Sequence, residues 1–290
     1  MTSYLIILDQ MLDPEFTPFQ GQVHGHDLYQ IWTPPAPVSH WVHYFWQLSV
    51  PVGDFYYRSV PDNCVDLIIN LDQLNDAVLV SPFTSPIIYP LAGPARYFGV
   101  RFRLLGQHAL LSEPISEWAS DSDQTEIKDL FPVQLIEQIE HSLSFSESFE
   151  QKSLRLAKAI VSAIERPVID PRILKFIRYC HHSDNALPLS ELSPNILGIT
   201  DRQLRRLTQQ YLGVSPKAFC KVVRFQNTLR AWRTMKDNRA WADWYFDQSH
   251  FSREFKQLTG SPPNQFLKMS VLYKNPSPQS SIILPDNAQT

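Results

Sequence analysis

Residues 247–266 read D-Q-S-H-F-S-R-E-F-K-Q-L-T-G-S-P-P-N-Q-F, and within them Phe251, Phe255 and Leu258 recur at i, i+4 and i+7. That spacing puts three apolar side chains on one side of a helix, so it predicts a short amphipathic helix with a single buried face. Asp247 has the side chain of an N-cap, Gly260 stands where a helix stops in the left-handed region, and Pro263 suits the first turn of a following helix. The opposite face carries Gln248, Ser249, Ser252, Arg253 and Lys256, side chains that reach base edges and phosphates in a DNA major groove. For one such helix standing alone, the plainer reading is a solvated basic surface.

The pattern occurs twice. Leu204 and Phe251, Gly213 and Gly260, Pro216 and Pro263, and Phe219 and Phe266 are each separated by 47 positions, and a constant offset marks an internal repeat. The upstream copy, residues 189–216, reads L-S-E-L-S-P-N-I-L-G-I-T-D-R-Q-L-R-R-L-T-Q-Q-Y-L-G-V-S-P. Gly198 marks a turn, Thr200 with Gln203 forms a capping box, and the helix that follows buries Leu204, Leu207 and Tyr211. Helix, glycine turn and capped helix make a helix-turn-helix unit. Its outer face presents Arg202, Arg205, Arg206 and Gln209. Two copies with matching caps and basic faces favour nucleic-acid contact over a bland surface.

These residues resemble the AraC/XylS-type bacterial transcription regulators, whose signature runs through D-Q-S-H-F-S-R-E-F-K-Q-L-T-G-S-P-P and whose first unit is similar to R-Q-L-R-R-L. The resemblance covers residues 171–272. It implies two helix-turn-helix units joined by a long helix, for which residues 215–236, S-P-K-A-F-C-K-V-V-R-F-Q-N-T-L-R-A-W-R-T-M-K, are the counterpart. It also implies double-stranded DNA and RNA polymerase as partners, with groove contacts at Arg202, Arg205 and Arg206 in the first unit and at Gln248, Ser249, Ser252 and Arg253 in the second. Two departures stand out. Thr208 occupies a position that carries a large apolar side chain in the family, which predicts weaker packing there. The segment W-A-D-W-Y-F, residues 241–246, has Trp244 near the place of the family's turn glycine and is one to two helical turns short.

A length of 290 residues suits two domains. The formal net charge of -3 conceals an asymmetry. Residues 1–164 hold 8 Lys+Arg against 19 Asp+Glu and residues 165–290 hold 18 against 10, net -11 and +8. Only the basic half is expected to meet a polyanion. The three cysteines, Cys64, Cys180 and Cys220, lack C-x-x-C spacing, so neither a disulfide framework nor a zinc knuckle is indicated, and a reducing, cytoplasmic setting is expected. No apolar run reaches membrane length, and the N-terminus lacks the basic start of a signal peptide.

From 22 to 103 the chain runs in short apolar or alternating stretches: L-Y-Q-I-W, W-V-H-Y-F-W-Q-L-S-V, D-F-Y-Y-R-S-V, V-D-L-I-I-N-L, A-V-L-V, P-I-I-Y-P-L and Y-F-G-V-R-F-R. These predict a small β barrel or sandwich, giving an α+β chain with a β domain over 1–165, a proline-flanked connector at 166–171, a helical DNA-binding domain over 172–273 and a tail at 274–290 without order. From 106 to 165 the period becomes helical, and residues 149–164 should bury a stripe of Leu154, Ala157, Ile160 or Val161, and Ile164 against the barrel or a second subunit. The segments R-S-V-P-D-N-C-V-D-L-I-I-N-L and Y-F-G-V-R-F-R are similar to the sensory domain of one branch of the same family, with Asn63 in place of an expected glycine. That resemblance implies a small-molecule effector or a homodimer, with Trp46, Tyr57 and Arg101 as effector-binding candidates.

The competing class is an enzyme, a cupin-like metal-dependent catalyst built on His24, His26, Asp62, Asp66 and Arg101, with the helical domain a secondary or degenerate DNA-binding module. Histidines two apart on a strand share a face and suit a transition metal. No third ligand at fixed spacing accompanies them, and no nucleophile triad, phosphate loop or paired-carboxylate motif is present. No catalytic residue, metal or cofactor is therefore assigned. A protein-interaction module without DNA binding would leave both basic faces unexplained.

Overall fold

The computed structural model describes residues 18–25, 27–119, 124–165, 167–182, 192, 196–235 and 245–274. The first part forms an antiparallel sheet of β1 (Tyr29–Trp32), β2 (Val42–Ser59), β3 (Asp66–Asn70), β4 (Gln73–Val80), β5 (Ile87–Phe102) and β6 (Gln124–Glu126), in the order β1-β2-β5-β3-β4-β6. Two pairs of expected strands are each one strand. W-V-H-Y-F-W-Q-L-S-V and D-F-Y-Y-R-S-V run together as β2, and P-I-I-Y-P-L joins Y-F-G-V-R-F-R as β5. Pro51 and Gly53 look like a break, yet the ladder absorbs them as a register shift between Val50 and Gly53, because a bulge tolerates a residue with no N–H to donate.

Alternation along these strands divides the sheet into two faces. One face packs Phe45, Leu67, Ile69, Leu79, Phe98 and Val100 against α2 (Val133–Leu143) and α3 (Phe149–Ala163), which contribute Leu135, Ile139, Leu156 and Ile160. α3 thus packs on its own sheet. Its buried stripe differs from the expected one: Leu156, Ala157 and Ile160 are buried, whereas Leu154 is 45% and Val161 41% exposed. At 100° per residue, Leu154 and Val161 share a line that points away from the sheet, with Ser153 and Ile160 on the line that meets it. A second difference is β6, which pairs with β4 inside a stretch expected to be helical; three residues are too few to show a period.

The helical domain contains α4 (Pro171–His182), α5 (Asp201–Leu212), α6 (Pro216–Met235), α7 (Gln248–Thr259) and α8 (Pro263–Phe266), with a short α1 (Ile115–Trp118) preceding it in the first domain. The long helix expected between the two units is α6. Leu204, Leu207 and Phe219 share a core with Ile173, Phe176 and Ile177 of α4. Thr208, expected to loosen this packing, is fully buried and donates its hydroxyl to the Arg205 carbonyl at 3.1 Å, so the side chain satisfies its polar atom inside its own helix. The chain then returns to the sheet, where β7 (Leu272–Tyr273) pairs with β2 at Tyr57 and Tyr56.

The domains share their apolar clusters. Trp41, Leu105 and Ala109 pack with the first helix-turn-helix unit, and Val60 packs with Phe225 and Leu229 of α6 and with Phe251 and Phe255 of α7. Among the described residues no helix is long and apolar enough to cross a membrane. The segments 241–244 and 275–290, most of the stretch expected to form the first unit's leading helix, and His26 lie outside the described residues.

Candidate nucleic-acid interface and effector cavity

α5 begins as its sequence dictates. Thr200 Oγ1 accepts from the Gln203 N–H at 3.3 Å while Gln203 Oε1 accepts from the Thr200 N–H at 2.9 Å, which satisfies two of the helix's orphan donors. Gly198 holds the turn with φ +66°, and Gly213 ends the helix at φ +69°. Leu204, Leu207, Thr208 and Leu212 face inward, and Arg202, Arg205, Arg206 and Gln209 face solvent. α7 repeats the design. Asp247 Oδ1 accepts from the His250 N–H at 2.6 Å, Phe251, Phe255 and Leu258 are buried, and Gly260 closes the helix at φ +73°. Gln248, Ser249, Arg253 and Lys256 are exposed and Ser252 is half-buried.

Neither basic face is neutralised by an acidic neighbour among the described residues: Arg202, Arg205, Arg206, Arg253 and Lys256 form no ion pair there. The one acidic residue inside α7, Glu254, turns the other way. It is buried and accepts a forked pair of hydrogen bonds at 2.7 Å from Arg224 of α6, which fixes the helix against its scaffold and keeps the carboxylate off the exposed face. Reading α7 by its wheel alone misses this tie, since its partner stands 30 positions upstream.

The first domain grips both units from behind. Arg58, 2% exposed, donates from Nη1 to Ser261 Oγ at 2.5 Å and to the Thr259 carbonyl at 3.3 Å, a cation at the C-terminal end of α7. His108 Nε2 lies 3.2 Å from the Tyr211 carbonyl at the end of α5, and α1 packs along the same helix. Gln226, in the middle of α6, spends its whole amide on the first domain: it donates to the Pro61 and Phe19 carbonyls at 2.8 and 3.2 Å and accepts from the Phe19 N–H at 2.8 Å. Asn63 donates to the Phe219 carbonyl at 3.3 Å from a backbone with φ +62°, so the position expected to need glycine does adopt the left-handed conformation, which asparagine tolerates.

The other face of the sheet encloses a cavity of about 330 Å3 lined by residues of all six strands in the pairing path, among them Tyr29, Trp46, Tyr57, Asp66, Tyr97 and Arg101. The three effector candidates Trp46, Tyr57 and Arg101 therefore come together. Gly99 makes room for Trp46: a Cβ there would lie 1.9 Å from the indole ring. Trp46 stacks on Tyr29 with centroids 5.9 Å apart and donates its N–H to Asp66 Oδ1 at 3.2 Å. Arg101 is fully engaged beneath it. Nε and Nη2 fork onto Asp66 at 3.1 and 2.7 Å, and Nη1 meets Asp62 Oδ2 at 2.8 Å and the Tyr44 hydroxyl at 3.2 Å. Burial raises the Asp62 carboxyl above the usual range against the pull of Arg101, and burial pushes the Tyr44 phenol up to about 12.

Of the residues that a metal-dependent enzyme would use, Asp62, Asp66 and Arg101 form this ion cluster. His24 is elsewhere, its backbone N–H bonded to Ser270. Among the described residues no three His, Cys, Asp or Glu side chains are grouped to hold a metal ion. Cys180 and Cys220 are free thiols with sulfurs 2.9 Å apart between α4 and α6.

Residues 195–269 match a family model described as a helix-turn-helix domain, and residues 30–122 match one described as a domain of unknown function (DUF6597). No curated protein matches the chain. Among solved structures, apo ToxT from Vibrio cholerae, a point variant, is similar at 11% identity and a TM-score of 0.40, covering 88% of this chain and 96% of that one. Wild-type ToxT from Vibrio cholerae with a bound unsaturated fatty acid is similar at 13% identity and a TM-score of 0.37, covering 77% and 89%.

Proposed function

We propose that this chain, which carries a helix-turn-helix domain of the AraC type over residues 195–269, is a sequence-specific DNA-binding transcription regulator. The observation that carries the reading is the pair of capped helices, α5 and α7, each with an unneutralised basic and amide-bearing face in the half of the chain, residues 165–290, whose net charge is +8. Arg202, Arg205, Arg206 and Gln209 read one groove segment, and Gln248, Ser249, Ser252, Arg253 and Lys256 read the other. The protein acts in the cytoplasm, on double-stranded DNA and with RNA polymerase, and no catalytic step belongs to this role.

The first domain supplies control through the way it holds the readers. Tyr57 and Ser59 line the cavity, and Arg58 between them on β2 grips the end of α7. Gln20 also lines the cavity and bonds to Ser59, Val60 and Asp62, while its neighbour Phe19 is tied to Gln226. A ligand that shifts these strands by a fraction of an ångström therefore biases the placement of both reading helices. Self-association of the first domain is a second route to the same control.

The test is binding of the full chain to a fluorescent duplex across salt concentrations. Each neutralised phosphate contributes roughly -0.9 to the log-log slope, so several contacts give about -4 or steeper. A nearly flat response from folded protein contradicts the reading.

A further inference from the structure

The cavity has a charge imbalance that its own residues do not resolve. Arg101 is the single cation among the described residues lining it, and its guanidinium is shared by two carboxylates, Asp62 and Asp66. Burial favours the neutral form of Asp62, so Arg101 and Asp66 balance each other in the buried part of the site. Asp76, exposed at the rim, leaves the lining with one net negative charge. An incoming carboxylate would have to break a buried pair and then sit beside the carboxylate it displaced; like charges so placed cost several kcal/mol.

The walls favour the opposite sign. Tyr29, Trp46, Tyr57 and Tyr97 present aromatic rings, whose faces attract a cation. Burial raises the phenols of Tyr29 and Tyr57, so these walls stay neutral. At about 330 Å3 the space sits at the small end of ligand sites, enough for one ring system and a short chain.

We propose that this cavity takes a small organic cation, an arylalkylamine whose ammonium is drawn to Asp76 at the rim and whose ring stacks against Trp46 and Tyr29. The consequence of binding, a change in DNA affinity, rests on the regulator reading above; the binding itself does not.

Two matched pairs test it on the full chain: 2-phenylethylamine against 3-phenylpropionate, and tryptamine against indole-3-propionate, with 2-phenylethanol as the neutral control. Melting temperature and tryptophan fluorescence report binding at millimolar ligand, and duplex affinity is measured in parallel. The expected result is that an amine raises the melting temperature and binds at least about tenfold tighter than its matched acid. Asp76→Asn should weaken the amine by about two- to fivefold, the range of an exposed pair, and leave the alcohol unchanged. Trp46→Leu should abolish the fluorescence response. Equal or tighter binding of the acids, or no binding by either amine, overturns the proposal. Amine binding in a chain that ignores DNA would support the cavity assignment while defeating the regulator reading, and the converse result would do the reverse.

Discussion

Replacing Gln226 by leucine should uncouple the two domains at a cost that can be worked from the structure. The residue is 3% exposed, and all three hydrogen bonds of its amide cross from α6 to the first domain. Leucine fills similar space and leaves the Pro61 carbonyl and both backbone groups of Phe19 without this partner. A buried polar group stripped of its partner costs about 1–3 kcal/mol. The bonds to Phe19 are only part-buried and water recovers some of that, so the sum is about 2–4 kcal/mol. At about 2–4 °C per kcal/mol for a chain of this size class, the melting temperature should fall by roughly 4–16 °C. Urea unfolding with unchanged m-value would show that stability moved and compactness did not. DNA affinity should change in the same variant although Gln226 is buried and belongs to neither exposed face. A loss below about 0.5 kcal/mol, the level of an ordinary surface substitution, would refute the reasoning.

Gly99→Ala puts a Cβ where the Trp46 ring lies, so overpacking of about 1–3 kcal/mol and a shifted tryptophan emission are expected; an unaltered spectrum would mean the ring does not occupy that place. Burial, with Arg103 and Arg101 beside it, holds His43 down at about 4, below its usual 6.5. The unfolded chain then takes up the proton first, so stability should drop by at most about 3 kcal/mol as pH falls from 6.5 to 4, and His43→Gln should flatten that limb in denaturation curves taken across the window. Arg206→Ala should cost about 1–3 kcal/mol in DNA binding and relax preference at one base position, while Arg253→Ala weakens binding more evenly. Loss of base preference with Arg253→Ala alone would reverse that assignment.

Much of the helical domain was legible because its signals are local. Caps lie within three residues of their partners, glycine stops sit one turn past an apolar stripe, and the 47-residue offset displays the repeat twice. The ties that place these helices were not legible. Arg58 to Ser261, Gln226 to Pro61 and Arg224 to Glu254 join residues 203, 165 and 30 positions apart, and no local pattern announces them. In the β domain, Pro51 and Gly53 read as an interruption because a bulge and a turn use the same residues. The face of α3 was set a residue or so off, since Leu154 and Val161 are as apolar as the side chains that are buried. Trp46, Tyr57 and Arg101 could be chosen as a group, but the engagement of Trp46 and Arg101 by Asp66, and of Arg101 by Asp62, is a matter of cross-strand register that only the paired sheet reveals.

The central claim is that α5 and α7 read DNA together while held by the first domain. Selection of bound fragments from random duplexes by the purified full chain tests it most directly. The account predicts an enriched motif with two elements about one helical repeat apart, roughly 34 Å along the duplex, one of which loses definition with Arg206→Ala. Folded protein that enriches no motif, or one that keeps both elements in Arg206→Ala, would contradict it.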